Sequence, residues 1–323
     1  LQSKQQKQKK MKKISLVGLL ACLWLVAWPS QDPLYSQFMT NPFLINPALT
    51  GTYPYYQIIT NNRIQWTGLT GAPITNTLSM YGPFKSQPMG VGGYIMSDMV
   101  GEAESRISIN GSYAYNYAIA EDLKISMGLM LGIMQHKIDG SKLRIEDPND
   151  QAFQEGQMYS NIKPDATVGV YVYSSTYNGG ISVTNLFGNK LQFDNPESTD
   201  TVPRSTIGRL KQHFYIHGGY KYYVNRDLAI EPTLIIKKAA ATTPQVDFNV
   251  RAWYGQRAWD GTKVWGGISY RSEDALSVLI GVVYQRKIEV GYSYDIGLNK
   301  ISPYNNGSHE IMITFRFNNF QEL

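Results

Sequence analysis

The sequence predicts an all-β protein, a transmembrane up-and-down antiparallel β-barrel of roughly fourteen strands that follows a signal peptide. Three observations carry that expectation. A lysine-primed apolar run spans Met11 to Trp28, the remaining chain alternates apolar and polar residues at period two, and its long connectors share one parity.

Lys12 and Lys13 form a basic n-region and Ile14 to Trp28 an apolar h-region, too short and wrongly flanked for a stable spanning helix. Residues 1–30 therefore read as leader and signal peptide, with 1–10 a lead-in rich in glutamine and lysine. Cys22 follows Leu19-Leu20-Ala21 in a lipobox-like order, but the apolar stretch continues through Leu23 to Val26, which favours a buried h-region residue. With the leader removed no cysteine remains, so neither a disulfide framework nor a thiolate metal site is available. Charge changes with it. The full chain has 30 basic and 25 acidic residues; removing the six lysines that precede Pro29 leaves 24 basic, a net charge of −1. The pI near 9.0 belongs largely to the leader, and no nucleic-acid footprint is left.

Residues 31–52 come next. Asn41-Pro42 and Asn46-Pro47 impose extended or turn geometry, so this segment is expected either to pack at the periplasmic mouth or to plug the lumen.

From residue 53 to 323 the strand pattern takes over. Leu123, Ile125, Met127, Leu129, Leu131 and Ile133 share one face, while Lys124, Ser126, Gly128 and Gly132 share the other. Strands are expected at 53–65, 73–83, 88–98, 103–119, 122–137, 165–174, 177–187, 211–224, 226–238, 245–258, 261–271, 274–285, 286–297 and 309–318. A soluble sandwich shows the same alternation, so the connectors decide. Lys85-Ser86-Gln87, Glu121-Asp122, Ser175-Thr176, Asn225-Arg226, Ala258-Trp259-Asp260 and Gln285-Arg286 are tight, whereas 138–164, 188–210 and 297–308 are long and leave the same end. Short periplasmic turns and long outer loops are the asymmetry of an outer-membrane barrel, with both termini periplasmic. A mean hydropathy of −0.28 fits a thin lipid-facing band diluted by a polar lumen and loops.

Tyrosines near strand ends, among them Tyr53, Tyr55, Tyr56, Tyr94, Tyr171, Tyr173, Tyr222, Tyr223, Tyr270 and Tyr284, suit the headgroup level, although tyrosine also favours strands in general. Pro232 has no edge strand to occupy in a closed barrel, so a bulge is expected there. Arg63 and Trp66, near the end of the first strand, read as a lumenal charge and an interfacial anchor. Asp295 and Arg316 alternate with lipid-facing residues and should point inward, where a buried charge needs a partner. Together with Glu310 they are the candidate lumen or partner contacts, through a rigidifying ion network or a client-contacting lumen.

Catalytic and metal sites find no support. His213 and His217 lie on a strand, about 13 Å apart along it, beyond one ion's coordination sphere. Glu146, Asp147, Asn149, Asp150 and Glu155, in a long outer loop, offer carboxylates for calcium but lack the glycine and ligand spacing of an EF-hand, so a solvated loop is the main reading and calcium the alternative. Gly90, Gly92 and Gly93 precede no Lys-Ser or Lys-Thr, and read as room for a tyrosine or a bend. Ser308 beside His309 is sequence adjacency, not a triad. Neither a cofactor nor an enzymatic activity is expected.

Five stretches resemble one family. Asp32-Pro33-Leu34-Tyr35-Ser36-Gln37-Phe38-Met39 with Asn46-Pro47-Ala48 and Gly51 is similar to the mature N-terminus of the PorP/SprF proteins, which belong to the type IX secretion and gliding machinery of Bacteroidota. Arg63-Ile64-Gln65-Trp66-Thr67-Gly68 with Gly71-Ala72-Pro73, Asp98-Met99-Val100-Gly101, Gly291-Tyr292-Ser293-Tyr294-Asp295 and Gly307-Ser308-His309-Glu310-Ile311 continue it across 31–318. The resemblance implies an integral outer-membrane barrel without enzymatic activity, an accessory to the delivery or anchoring of secreted proteins or adhesins at the surface. The implied partners are outer-membrane lipid, a type IX secreted client or adhesin, and periplasmic components of the export machinery. The rival from another class is a porin-like or fatty-acid-transporter-like channel for a small solute.

Overall fold

The computed structural model describes residues 33–142, 158–192, 206–239, 242–255 and 261–318. The leader, the acidic cluster at 146–155 and the turn at 258–260 lie outside them. Fourteen antiparallel strands close into a barrel. They are β1 (Tyr56–Ile64), β2 (Ile74–Pro83), β3 (Met89–Val100), β4 (Glu104–Ala120), β5 (Leu123–Asp139), β6 (Met158–Tyr173) and β7 (Tyr177–Thr184), followed by β8 (His213–Tyr220), β9 (Leu228–Ala239), β10 (Gln245–Tyr254), β11 (Lys263–Arg271), β12 (Ala275–Tyr284), β13 (Ile288–Gly297) and β14 (Ser308–Phe317). Each strand pairs with the next in sequence, and β14 returns to β1 with Glu310 opposite Arg63. The barrel sheet is left with no edge among the described residues, which is the condition for crossing a bilayer with strands.

Alternation places the faces. On β5 Ser126 is fully buried while Leu129 is 44 % and Leu131 54 % exposed, so the apolar set faces outward. The connectors 140–157, 185–212 and 298–307 all leave one rim, and the second holds turns such as 121–122 and 285–287. Inside the connector 185–212, Lys190–Gln192 pairs with Thr206–Arg209.

Three expectations need correction. β6 starts at Met158 rather than 165, because Met158 to Ile162 still pair with β5 beyond the stretch where alternation is clear. Pro232 makes no bulge: β8 and β9 keep one register on either side of it, Gly219 opposite Thr233 and Tyr222 opposite Ile230. Lacking an N–H, Pro232 interrupts the ladder toward β8 instead, while on the other side of β8 the N–H of Lys221 keeps an ordinary bond to the Thr176 carbonyl at 2.7 Å. Several of the tyrosines expected at the headgroup level face the lumen. Tyr222, Tyr223, Tyr270 and Tyr284 are exposed on the outside, but Tyr171 is buried in the interior with Tyr94 and Tyr173 packed beside it.

The interior is filled by the chain itself. Residues 33–55 run down the lumen from the long-loop half to the short-turn rim before β1 begins. Asn-Pro pairs shape the path: Pro42 and Pro47 each start a short 3-10 turn, Pro42–Leu44 and Pro47–Leu49, and the Asn46 side chain caps the second by accepting from the Ala48 N–H at 3.0 Å. Phe43, Ala48 and Leu49 are fully buried against Tyr81, Met130, Tyr171 and Met312, with the Phe43 ring stacked on Tyr81 at 4.3 Å. Gly128 makes this fit possible. A Cβ there would stand 2.4 Å from the backbone of Pro47 and Ala48. Gly90 does the same lower down, facing the Gly51 α-carbon.

Candidate functional site

The N-terminal segment is seated on charges of the barrel wall, close to the long-loop rim. Arg63, near the end of β1, is 2 % exposed and donates to Asp295 of β13 at 2.6 Å and to Glu310 of β14 at 3.2 Å. Ser36 sits between them. Its hydroxyl donates to Asp295 at 2.6 Å and accepts from Arg63 at 2.8 Å and from Arg271 at 3.2 Å, using the one donor and two acceptor positions of an alcohol. Glu310 takes the backbone N–H groups of Ser36 (2.7 Å) and Gln37 (3.3 Å), so the carboxylate binds main chain as well as guanidinium.

The network continues along the wall. Arg271 donates to the Tyr35 carbonyl at 3.1 Å, to Asp247 at 3.2 Å and to Asp274 at 2.9 Å, and Lys237 reaches Asp247 at 2.7 Å. The Tyr35 hydroxyl lies 2.8 Å from Thr77 Oγ1, and burial raises its phenol above the ordinary tyrosine value, with Glu310 adding to the rise. Further down, Asn41 donates to Asn61 and Ser79, and Asn46 donates to the Val170 carbonyl and meets His217 Nε2 at 3.1 Å. These charges are paired and hydrogen-bonded, the condition under which burying them is tolerable.

Of the sequence-derived candidates, the structure brings Arg63, Asp295 and Glu310 together. Arg316 stands apart, toward the short-turn rim, where it pairs with Glu289 and lies 5.7 Å from the Tyr55 ring. Trp66 lies on the loop after β1 with φ at 50°, and its backbone N–H donates to Ser308 Oγ at 3.1 Å. The residues missed are Ser36, Gln37, Arg271 and Asp247. Arg271 and Asp247 carried the same signal as Asp295, a charge at a lumen-facing position of an alternating strand; Ser36 and Gln37 were marked only as members of the first motif stretch, with no charge to point to a contact.

Part of each of the five motif stretches lies at this rim, while Asn46-Pro47-Ala48 and Gly51 of the first lie lower in the lumen. Ser36 and Gln37 meet Arg63, Asp295 and Glu310. The Thr67 N–H donates to the Gly307 carbonyl at 2.8 Å, and Gly71 packs against Gly101, where a Cβ would stand 3.1 Å from the glycine α-carbon. Asp98 accepts from Thr75 at 2.6 Å and from Arg106 at 3.2 Å. His213 and His217 both face inward, and no group of side chains suited to a metal ion occurs among the described residues.

The family model described as type IX secretion system membrane protein PorP/SprF matches residues 28–315. Among solved structures the chain is similar to a Pseudomonas aeruginosa FadL homologue, at 9 % identity over 81 % of this chain and 88 % of that one with a TM-score of 0.43. It is similar to the CymD monoaromatic hydrocarbon channel, at 12 % identity over 90 % and 94 % with a TM-score of 0.45. The Acinetobacter baumannii outer membrane protein Omp33 shows 7 % identity over 81 % and 98 % with a TM-score of 0.44. No curated protein matches the chain at significant similarity.

Proposed function

The chain belongs to the PorP/SprF family of type IX secretion membrane proteins and is an integral outer-membrane barrel, and on that premise we propose that it is an accessory to the delivery or anchoring of secreted proteins or adhesins at the cell surface. Its partners in this reading are a secreted client or adhesin and periplasmic components of the export machinery. No reaction of its own is part of the role.

The observation that supports this reading over a solute channel is the occupied lumen. Residues 33–55 fill the interior, with Phe43 and Leu49 packed against the wall and Ser36 held by buried Arg63, Asp295 and Glu310. A barrel closed in this way offers rigid rims and a fixed interior, which suits recognition better than conduction.

Deletion of the gene tests the proposal. The general export machinery should stay intact while one secreted protein, or a small group, is lost from the surface proteome. Loss of all type IX cargo would instead make the chain a core component. An unchanged surface together with altered uptake of a small solute would assign it to transport, and so would a stable open pore in planar bilayers.

A further inference from the structure

At the short-turn rim the lumen widens below the N-terminal segment into a chamber of about 630 Å³. Its described lining carries six cations, Lys221, Arg251, Lys263, Arg286, Lys287 and Arg316, against two carboxylates, Glu231 and Glu289. Both carboxylates are engaged. Glu231 accepts from Arg251 at 3.1 Å and from the Trp253 indole at 2.6 Å; Glu289 accepts from the Trp265 indole at 3.1 Å and pairs with Arg316. Among the described lining residues, cations thus outnumber carboxylates six to two in a partly enclosed space.

The inner groups are held and only partly satisfied. Arg251, about 5 % exposed, keeps a buried Nε with no hydrogen-bond partner, and so does Arg316. Trp253 fixes two cations in place, with the Lys221 ammonium 5.2 Å and the Arg251 guanidinium 5.1 Å from its ring. Lys221 follows the end of β8, between the Gly219–Thr233 and Tyr222–Ile230 pairings. At the rim, Arg286 and Lys287 occupy the turn between β12 and β13 and place positive potential at the opening. The chamber is also blind: Met39 and Thr40 form part of its wall, and Arg251 donates to the Thr40 hydroxyl at 3.3 Å.

We propose that this chamber is a receptor site for an acidic peptide segment of a protein partner, which enters from the short-turn rim and presents carboxylates to Lys221, Arg251 and Lys263. The rim cations steer the approach, and the enclosed walls strengthen each charge pair relative to open water. A blind, cationic chamber of this size binds a segment and holds it; it does not pass it on. The inference rests on the accessory reading and names the chemistry by which such a barrel recognises a partner from that side.

The test uses the full-length barrel in detergent micelles and a fluorescein-labelled oligoglutamate peptide, followed by anisotropy, with oligoglutamine and free glutamate as comparisons. Oligoglutamate should bind with an affinity that falls as salt rises, and oligoglutamine should not bind. Lys221→Gln with Lys263→Gln should weaken binding about tenfold or more, equivalent to about 1.4 kcal/mol. Arg286→Ser with Lys287→Ser, in an exposed turn that leaves the interior intact, should lower the association rate more than it raises dissociation. Equal binding of oligoglutamine overturns the proposal, and so does full competition by free glutamate, which marks a small-anion site. Loss of binding in the rim variant with none in the lysine double variant also overturns it, because the peptide then sits outside the chamber. Failure of the accessory reading is separately visible: an unchanged surface proteome on deletion removes that reading whatever the titration shows.

Discussion

The Ser36 hydroxyl donates to Asp295 across 2.6 Å, although 259 positions separate the two residues in the chain. Arg63 donates to both, so a residue ahead of the first strand, one on β1 and one on β13 share a single buried contact. The seam that closes the barrel and the segment that fills it are therefore held by the same charges.

Removing Arg63 should be costly. Arg63→Met leaves Asp295 and Glu310 buried without their cation, a loss of about 3–5 kcal/mol. Urea unfolding in lipid vesicles reads this. Arg63→Met combined with Glu310→Gln should cost less than the sum of the two changes, and strict additivity would show that the residues do not act as a unit.

Displacing the segment should open the lumen. Gly128→Val puts a side chain where the backbone of Pro47 and Ala48 lies 2.4 Å from a Cβ, whereas a Cβ at Gly111 meets nothing within 4 Å. Planar-bilayer recordings should show openings for Gly128→Val and a closed barrel for wild type and Gly111→Val. A Gly128→Val barrel that stays closed would mean the interior adapts around the added methyl groups.

The outer face should reject charge. Leu129→Arg near mid-bilayer is expected to cost about 2–4 kcal/mol and to reduce the heat-modifiable, assembled form on gels, with Leu129→Ala milder. Similar loss for both would place Leu129 away from lipid.

Orientation has its own readout. Tyr304→Cys, in the exposed connector between β13 and β14, should react with an impermeant maleimide on intact cells, and Arg226→Cys, in an exposed turn at the opposite rim, should react only after lysis. The reverse pattern would invert the barrel.

Strand number and facing were legible because period-two alternation is local: Leu129 and Leu131 face out and Ser126 faces in, as their neighbours in sequence imply. Tyr171 shows how the reading slipped. Placed by its nearness to a strand end it belongs at the headgroups, but it shares a face with Gly169, which abuts the Asn46 side chain, and that face is the lumen. Pro232 is an obstacle to the ladder, yet the strands do not bulge: one donor is missing toward β8 and the register is the same on either side of it. Charged lumen residues were legible as inward; their partners were not, because Arg63 and Glu310 meet only when the first and last strands do. Pro33 lies in the long-loop half of the lumen, and β14 ends at the short turns. Two Asn-Pro turns announce a bent segment without saying which way it runs.

Because residues 33–55 pass through the interior, the β1–β14 seam encircles a piece of its own chain when it zips. The segment must already lie in place at that moment, or it must thread a finished ring afterwards. Glu310, on the last strand to be made, binds the Ser36 and Gln37 backbone, so the contact that locates the segment arrives together with the strand that completes the ring. On the first of these routes the hairpins gather around a waiting N-terminal thread, and closure is the most non-local step, the kind that makes folding slow.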